Sequence, residues 1–587
     1  MLEILKGSFF VRCLLWLSVA YDRSRLARLV KRMAHIWHKS LVFKLLNKYF
    51  NRYCAYEHSL LYKALSRITH LIDRFMRPLG RKLNRLFRGS IFCRAVRNIS
   101  GYGLTVLIFG IVVSGALLGG VLGVAFWDIG DLAVDMVLVM GVIAFITAAA
   151  LVLTDYTVGL YILSAYAVID FVLRNYVPAF AGMWDEAYFL GLVLLCVWKW
   201  AAHRHDCRGM VYSPMDMPIL GFMAVMVFVF LVNSPDPKIS LEGLRVVVQY
   251  ILWYYVVIRL VKNNDKAVLV SRFFAVVVGL MALHGIYQFI VGVEMPAGWV
   301  DQNEAGVRTR VFSILTSPNI FGSLLTLGAP VSLGLALGEK NKLLKIIFGG
   351  AALAMMGSLL FTFSRGAWIG FAVAFAVYVL IKDARLLAPG IIAAVLVILL
   401  VPSVGNRITY MLSPEYIESS LRGGRLVRWM TGARVLSFFP AFGVGLGHFG
   451  GAVAMNHGLS TLLDGEYTET FYMDNYYLKT AVETGIVGLA AMLGLMYCVI
   501  INSLRTVSAV SGKRMKELSA GITAGLTGVI VHNFVENVFE VPLMCTVFWL
   551  FVGIIMAIWY HERRDRIREM RNREKIQLTS IEEQKRE

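Results

Sequence analysis

Runs of 17 or more mostly apolar residues recur along almost the whole of this 587-residue chain, separated by short polar breaks. Wound into a helix, each run matches a hydrocarbon core roughly 30 Å thick. Lipid offers a backbone amide no partner, so only a structure that satisfies its own hydrogen bonds survives there. The expected spans are 104–126, 133–153, 156–173, 186–202, 217–233, 244–262, 268–292, 318–337, 345–363, 366–382, 387–402, 476–502, 518–537 and 541–560. The second and third are alternatively one shallow hairpin, which gives twelve to fourteen helices. The expected fold is therefore all-α, a polytopic integral membrane protein, and 58% hydrophobic against 16% charged residues places it in that class.

Charge orients the chain. The first 97 residues hold 21 Lys and Arg against 4 Asp and Glu, and so carry +17 of the net +20. That concentration gives no ground for expecting a nucleic-acid partner. Leu61, Leu65, Ile68, Ile72, Phe75 and Leu79 recur at helical spacing among Lys63, Arg67, Arg74, Arg77 and Lys82. Basic amphipathic helices of this kind lie on anionic membrane lipids; docking a cytoplasmic partner is the alternative. The run Phe9–Ala20 is broken by Arg12 and lacks a convincing cleavage site, so no cleaved signal peptide is expected. Arg204, Arg208, Lys262, Lys266, Lys340, Lys345, Lys382, Arg385, Lys513 and Arg514 fall in alternate loops. By the positive-inside rule those loops and both termini are cytoplasmic. Loops 234–243, 293–317, 363–366, 403–475 and 538–540 are then outside. The organisation expected is a basic interfacial segment 1–97, first spans 98–300, a core 301–560 that includes outer loop 403–475, and a charged tail 561–587.

Loop 403–475 is the one long polar interruption, and long irregular segments in compact proteins are mostly functional or disordered. Its aromatics, glycines and balanced charge favour function. One end reads Gly424-Arg425-Leu-Val-Arg428-Trp429, then Phe439-Pro440-Ala-Phe-Gly443-Val-Gly445; the other reads Asp474-Asn475-Tyr-Tyr477-Leu, then Glu483-Thr-Gly485. The assigned topology puts Arg310, Pro318-Asn319, Ser364-Arg365-Gly366 and His532-Asn533-Phe-Val-Glu536 on the same face. An arginine near the apolar region costs roughly 2.5–3.5 kcal/mol. Several on one face point to an anionic partner, and a guanidinium fork suits phosphate or diphosphate. Snorkelling to headgroups accounts for any one of them alone. His448 and His457 sit among glycines without metal-ligand spacing, and the chain has neither a phosphate-binding loop nor a dinucleotide fingerprint. No metal and no cofactor is expected.

These motifs, in this order, resemble the O-antigen ligase and polymerase family: Arg310, Pro318-Asn319 and Gly322; Phe363-Ser364-Arg365-Gly366; Gly424-Arg425, Trp429, Pro440 and Gly443-Val-Gly445; Asp474-Asn475-x-Tyr477-Leu and Glu483-Thr-Gly485. The resemblance covers roughly 300–560. It implies a metal-independent membrane glycosyltransferase of the bacterial inner membrane. The donor would be an undecaprenyl-diphosphate-linked glycan, and the acceptor a hydroxyl of a growing glycan, of lipid A core or of protein, on the outer face. Arg310 and Arg425 match the family's arginines and are assigned to the diphosphate, with Arg365 and Arg428 beside them. Ligases of the family typically carry His before the Asn of Asn-x-Tyr-Leu. Here it is Asp474, which favours a polymerase-like member and makes Asp474 the expected base. An Asp directly before a helical run also serves as a helix cap, and the two roles are compatible. His457 and Glu469 are reserve bases. Asn475, Tyr477 and Glu483 belong to the matching motifs, and His532 and Glu536, one helical turn apart, are expected to order the site or to hydrogen-bond between helices. A flippase of lipid-linked oligosaccharides is the alternative from another class; it would show internal repeats and midplane charges. A structural membrane component is a third, which leaves the arginines unexplained.

Overall fold

The computed structural model describes residues 157–202, 213–294, 309–383, 387–411, 413–421, 424–463, 466–469 and 471–584, with Arg74 and Pro78 alone from the N-terminal segment. The amphipathic segment 1–97 and the expected spans 104–126 and 133–153 lie outside the described residues.

Each of the other twelve expected spans coincides with a helix or a bent helix pair, so the chain is an all-α polytopic membrane protein. Among the described residues seven helices are long and apolar enough to cross a membrane, or up to nine if each bent pair counts as one span. Two compact units share these residues. The smaller contributes, among described residues, 197–202, 379–383 and 387–405, and includes the helix Leu387–Leu400. The larger holds everything that follows.

Its helices are α1 (Asp216–Val232), α2 (Pro237–Leu260, with a 3-10 turn at Gln249–Leu252), α3 (Asn264–Val291), α4 (Pro318–Gly338), α5 (Lys342–Phe361) and the greater part of α6 (Arg365–Lys382). The second half supplies most of α7 (Pro402–Met411), then α8 (Pro414–Leu421), α9 (Arg425–Phe438), α10 (Tyr476–Ala509), α11 (Lys513–His532) and α12 (Pro542–Gln584). Asn263, Ser317 and Asn341 cap the starts of α3, α4 and α5 with their side-chain oxygens, satisfying amides that the first helical turn leaves unpaired.

Helices α4 and α11 form the most extensive helix pair. Both are buried along nearly their whole length, and α11 is rich in Gly, Ala, Ser and Thr, which lets two backbones approach closely. Helix α12 is buried through Met544–Ile558. Around this centre α3, α5 and α10 leave large apolar side chains exposed, among them Leu280, Ile290, Ile346, Leu353 and Ile486, as helices that face hydrocarbon do.

Three features depart from the sequence reading. The span expected at 518–537 ends as a helix at His532, so Glu536 lies beyond it. Helix α10 is broken at Gly485, whose φ of 68° is left-handed. The loop 403–475 is not wholly irregular or helical: Ser460–Leu463 pairs antiparallel with Glu466–Glu469 across the sequence Asp-Gly at 464–465, a dipeptide favoured in tight hairpins.

Candidate functional site

At one end of the larger unit, the segment before α4 passes the C-terminus of α5. The last carbonyls of a helix have no intrahelical donor, and cations near them are favoured. Arg310, buried, donates from Nε to Thr362 O at 3.1 Å and from Nη2 to Asn319 Oδ1 at 3.0 Å. Asn319 sits in the first turn of α4 because Pro318 opens that helix and Ser317 caps it. Arg407 of α7, which the sequence reading passed over, donates from Nε to Phe363 O at 2.7 Å. The turn 362–364 is thus held by two arginines, and Phe363 takes a left-handed φ of 50°.

Asn319 turns its amide nitrogen to Glu536 Oε2 at 2.7 Å. The same oxygen lies 3.1 Å from Nη2 of Arg425, the first residue of α9. Arg425 Nε is 3.7 Å from Asp474 Oδ2, and Arg428 Nη1 is 3.0 Å from it. One unbroken chain of contacts therefore runs Arg310, Asn319, Glu536, Arg425, Asp474, Arg428. It joins residues that are up to 226 positions apart, from Arg310 to Glu536. Three guanidiniums face two carboxylates, a net positive cluster. Burial pushes the Glu536 carboxyl up to about 7, with Asp474 adding to the effect and Arg425, Arg310 and the Asn319 amide opposing it; near neutrality the cluster gains further positive charge.

The local sequence explains why Asp474 and α9 stand where they do. Gly485 breaks α10, which frees the carbonyls of Val482 and Glu483. They accept from Val444 N at 2.9 Å and Gly445 N at 3.0 Å, while Ile486 N donates to Pro440 O at 2.8 Å. The Phe439–Gly445 motif and the Glu483–Gly485 motif are thus the two halves of one joint. A Cβ on Gly485 would lie 2.1 Å from Ala441 O, and one on Gly443 2.3 Å from Val482 O. Asn475, not Asp474, caps α10, accepting from Leu478 N at 2.9 Å. That leaves the Asp474 carboxylate to the arginines. Tyr476 N donates to Asn533 O at 3.0 Å and Tyr477 OH to Ile530 O at 2.9 Å, tying the start of α10 to the end of α11 and so Asp474 to Glu536. Glu483 is buried in an ion pair with Lys479 at 2.8 Å and accepts weakly from Phe449 N at 3.4 Å. It holds the glycine-rich loop and does not reach the arginine cluster.

His532 and Glu536 divide their partners along α4: His532 Nδ1 meets Ser323 Oγ at 2.5 Å, four residues beyond Asn319. That is the interhelical hydrogen bond expected as one of its two roles. Arg365 stands apart from the chain of contacts, its guanidinium 4.6 Å over the ring of Tyr416 on α8. His457 pairs with Glu242 of α2 at 2.9 Å, and Glu469 lies in the hairpin. His457 does not join the arginines among the described contacts. Among the described residues no group of three His, Cys, Asp or Glu side chains is placed to hold a metal ion.

Residues 350–493 match the family model described as O-antigen ligase. The match includes Arg365, Arg425, Arg428, Asp474, Asn475, Tyr477 and Glu483; Arg310, Asn319 and Glu536 lie outside it and are brought to the matched residues by the contacts above. No curated protein matches the chain.

Proposed function

We propose that this chain, which through residues 350–493 belongs to the O-antigen ligase family, transfers a glycan from a polyprenyl diphosphate to a hydroxyl on the outer face of the bacterial inner membrane. The observation that carries the reading is the contact chain Arg310–Asn319–Glu536–Arg425–Asp474–Arg428. It supplies fixed guanidiniums where a transferase of this kind needs them.

The reaction places negative charge on the leaving group. The acceptor oxygen attacks the anomeric carbon, the bond from that carbon to the diphosphate oxygen breaks, and its electron pair leaves on the lipid diphosphate. Guanidiniums already aimed at that oxygen lower the barrier, since no reorganisation is needed as charge develops. Arg310 and Arg425 take the diphosphate and Arg428 supports them. Arg365 serves from the neighbouring turn, its stacking on Tyr416 leaving a planar cation oriented by an aromatic face.

The proton of the acceptor hydroxyl goes to Asp474. Its Oδ2 is held by Arg428 and Arg425. A diphosphate on the same guanidiniums competes with the carboxylate and releases it to act as base, so donor binding prepares the group that activates the acceptor. Glu536, deeper and hydrogen-bonded to Asn319, keeps Arg425 aligned with Arg310. Asp474 in place of histidine favours chain-extending chemistry, with a growing glycan as acceptor, over transfer to lipid A core.

Proteoliposomes holding the full chain and an undecaprenyl-diphosphate-linked repeat unit test the proposal, with product length read on gels. Arg310→Ala and Arg425→Ala abolish extension while the protein still inserts; near-normal extension by both removes the diphosphate assignment. In a deletion strain, surface glycan with single repeats and no long chains fits a polymerase, whereas finished polymer left on its carrier identifies a ligase.

A further inference from the structure

Gln288 lies three residues from the end of α3, a membrane-spanning helix, and only 5% of it is exposed. A polar side chain in such a place is costly unless it is fully hydrogen-bonded, and it is a functional candidate by default. Its amide is fully engaged with one short stretch of backbone. Oε1 accepts from Ser313 N at 2.8 Å and from Phe312 N at 3.2 Å, and Nε2 donates to Ser313 O at 2.9 Å. Ser313 has a left-handed φ of 55°; it and Phe363 are the only non-glycine residues with positive φ among those described. Such a conformation persists only where the surroundings over-determine it. Ser313 Oγ also donates to Met281 O at 2.9 Å and meets His284 Nδ1 at 3.1 Å. Met281, His284 and Gln288 recur at spacings of three and four, one stripe of α3.

The turn at Ser313 reverses the chain between Arg310 and the start of α4, and without it Arg310 and Asn319 would not face each other at 3.0 Å. On the other side Val311 N donates to Phe361 O at 3.1 Å, and the ring of Phe361 stacks on Phe289, next to Gln288. The end of α3 thus supports both walls between which Arg310 lies. We propose that Gln288 is a positioning residue for Arg310: its side-chain amide holds Ser313 in the left-handed turn that aims the guanidinium at Asn319 and at the donor's diphosphate. The proposal rests on the assignment of Arg310 to the diphosphate; the hold on the turn itself does not.

The experiment uses the full chain in lipid nanodiscs, with undecaprenyl diphosphate as binding probe and the lipid-linked repeat unit as donor. Gln288→Leu keeps the volume and removes all three hydrogen bonds. Misplacing a binding group by about 1 Å costs on the order of a hundredfold, so donor kcat/KM falls roughly ten- to a hundredfold, carried mainly by donor KM. Acceptor KM stays near wild type, while the melting temperature falls because three backbone groups lose their partner. Gln288→Glu keeps the acceptor for two amides and gives an intermediate donor KM, which serves if the leucine variant fails to fold. Adding Ser313→Gly to Gln288→Leu restores at least part of the donor affinity, because glycine adopts the turn unaided. Amide exchange at Phe312 and Ser313 rises in Gln288→Leu whatever the ligand. Unchanged exchange, or wild-type donor KM in both Gln288 variants, overturns the proposal. So does a loss of activity that only tracks a loss of folded protein. If wild type itself neither binds undecaprenyl diphosphate nor transfers glycan while the exchange result holds, the transferase reading fails and the turn-holding role stands.

Discussion

At the scale of single residues, the site is defined by two carboxylates that sit on Arg425 and Arg428, with Arg310 joined to them through Asn319. Asp474→Asn keeps the shape but removes the proton acceptor, and acid–base groups typically contribute about 10²–10⁴-fold. The expected loss of extension rate is therefore at least about tenfold, with a lower donor KM because the carboxylate no longer competes for Arg428; an unchanged rate leaves Asp474 only as a partner of Arg428. Glu536 adds a pH dependence with a definite sign. Its carboxyl, pushed up to about 7 by burial, is charged above that pH and competes with an anionic donor for Arg425; below it the group is neutral and does not. Donor KM should fall as pH is lowered from about 8 to about 6, by no more than about tenfold per unit for one proton. Glu536→Gln, neutral throughout, should give a flat profile, and an equal slope in that variant assigns the titration elsewhere. The arginines stood out in the sequence as charge on one expected face, and Asp474 was singled out by the resemblance of its Asn-x-Tyr-Leu motif. The bond from Glu536 through Asn319 to Arg310 was not legible, since it depends on α4 and α11 lying side by side. Nor was the stacking of Arg365 on Tyr416, two residues that the sequence separates by two expected spans.

At the scale of elements, helices were readable from their apolar runs and their breaks were not. The run 476–502 has nothing in its hydrophobicity to mark the interruption at Gly485, because the break is stabilised by amides from Val444, Gly445 and Ile486 that come from, or reach to, a distant loop. The Glu483-Thr-Gly485 and Gly443-Val-Gly445 motifs were visible, but that they are partners was not. Gly485→Ala combines a left-handed φ with a clash against Ala441 O. A left-handed non-glycine residue costs about 1–2 kcal/mol and overpacking about 1–3 kcal/mol. The variant should melt well below wild type in detergent and lose extension with it; a wild-type melting temperature would show that the joint yields more easily than its contacts imply. The hairpin 460–469 was missed for a related reason: four-residue strands are too short to stand out in a loop read for charge and glycine.

For the molecule as a whole, every span expected in the described part coincides with a helix or a bent pair, but only seven of the described helices, or up to nine counting bent pairs, are long and apolar enough to cross. The assignment of sides came from charge in short loops, and the basic segment 1–97 enters it as a cytoplasmic anchor. Deleting residues 1–90 should leave the transfer rate per inserted molecule within about twofold while membrane association is weakened. A loss of transfer in fully inserted protein would give that segment a role in the reaction. Single cysteines at exposed Ser437 and at Lys340 should react with a membrane-impermeant thiol reagent from opposite sides, Ser437 from outside.

If Arg425 and Arg428 hold the donor as proposed, the carboxylates on them also bear on what the site ignores. A transferase open to a bilayer leaflet is bathed in phospholipids, each offering one phosphate at high local concentration. With Asp474 already seated on Arg425 and Arg428, a single phosphate gains little by displacing it from one of them, whereas two linked phosphates reach both guanidiniums at once. The internal acids act as a stopper that only a bidentate guest lifts, and the abundant lipids around the protein pass by as solvent.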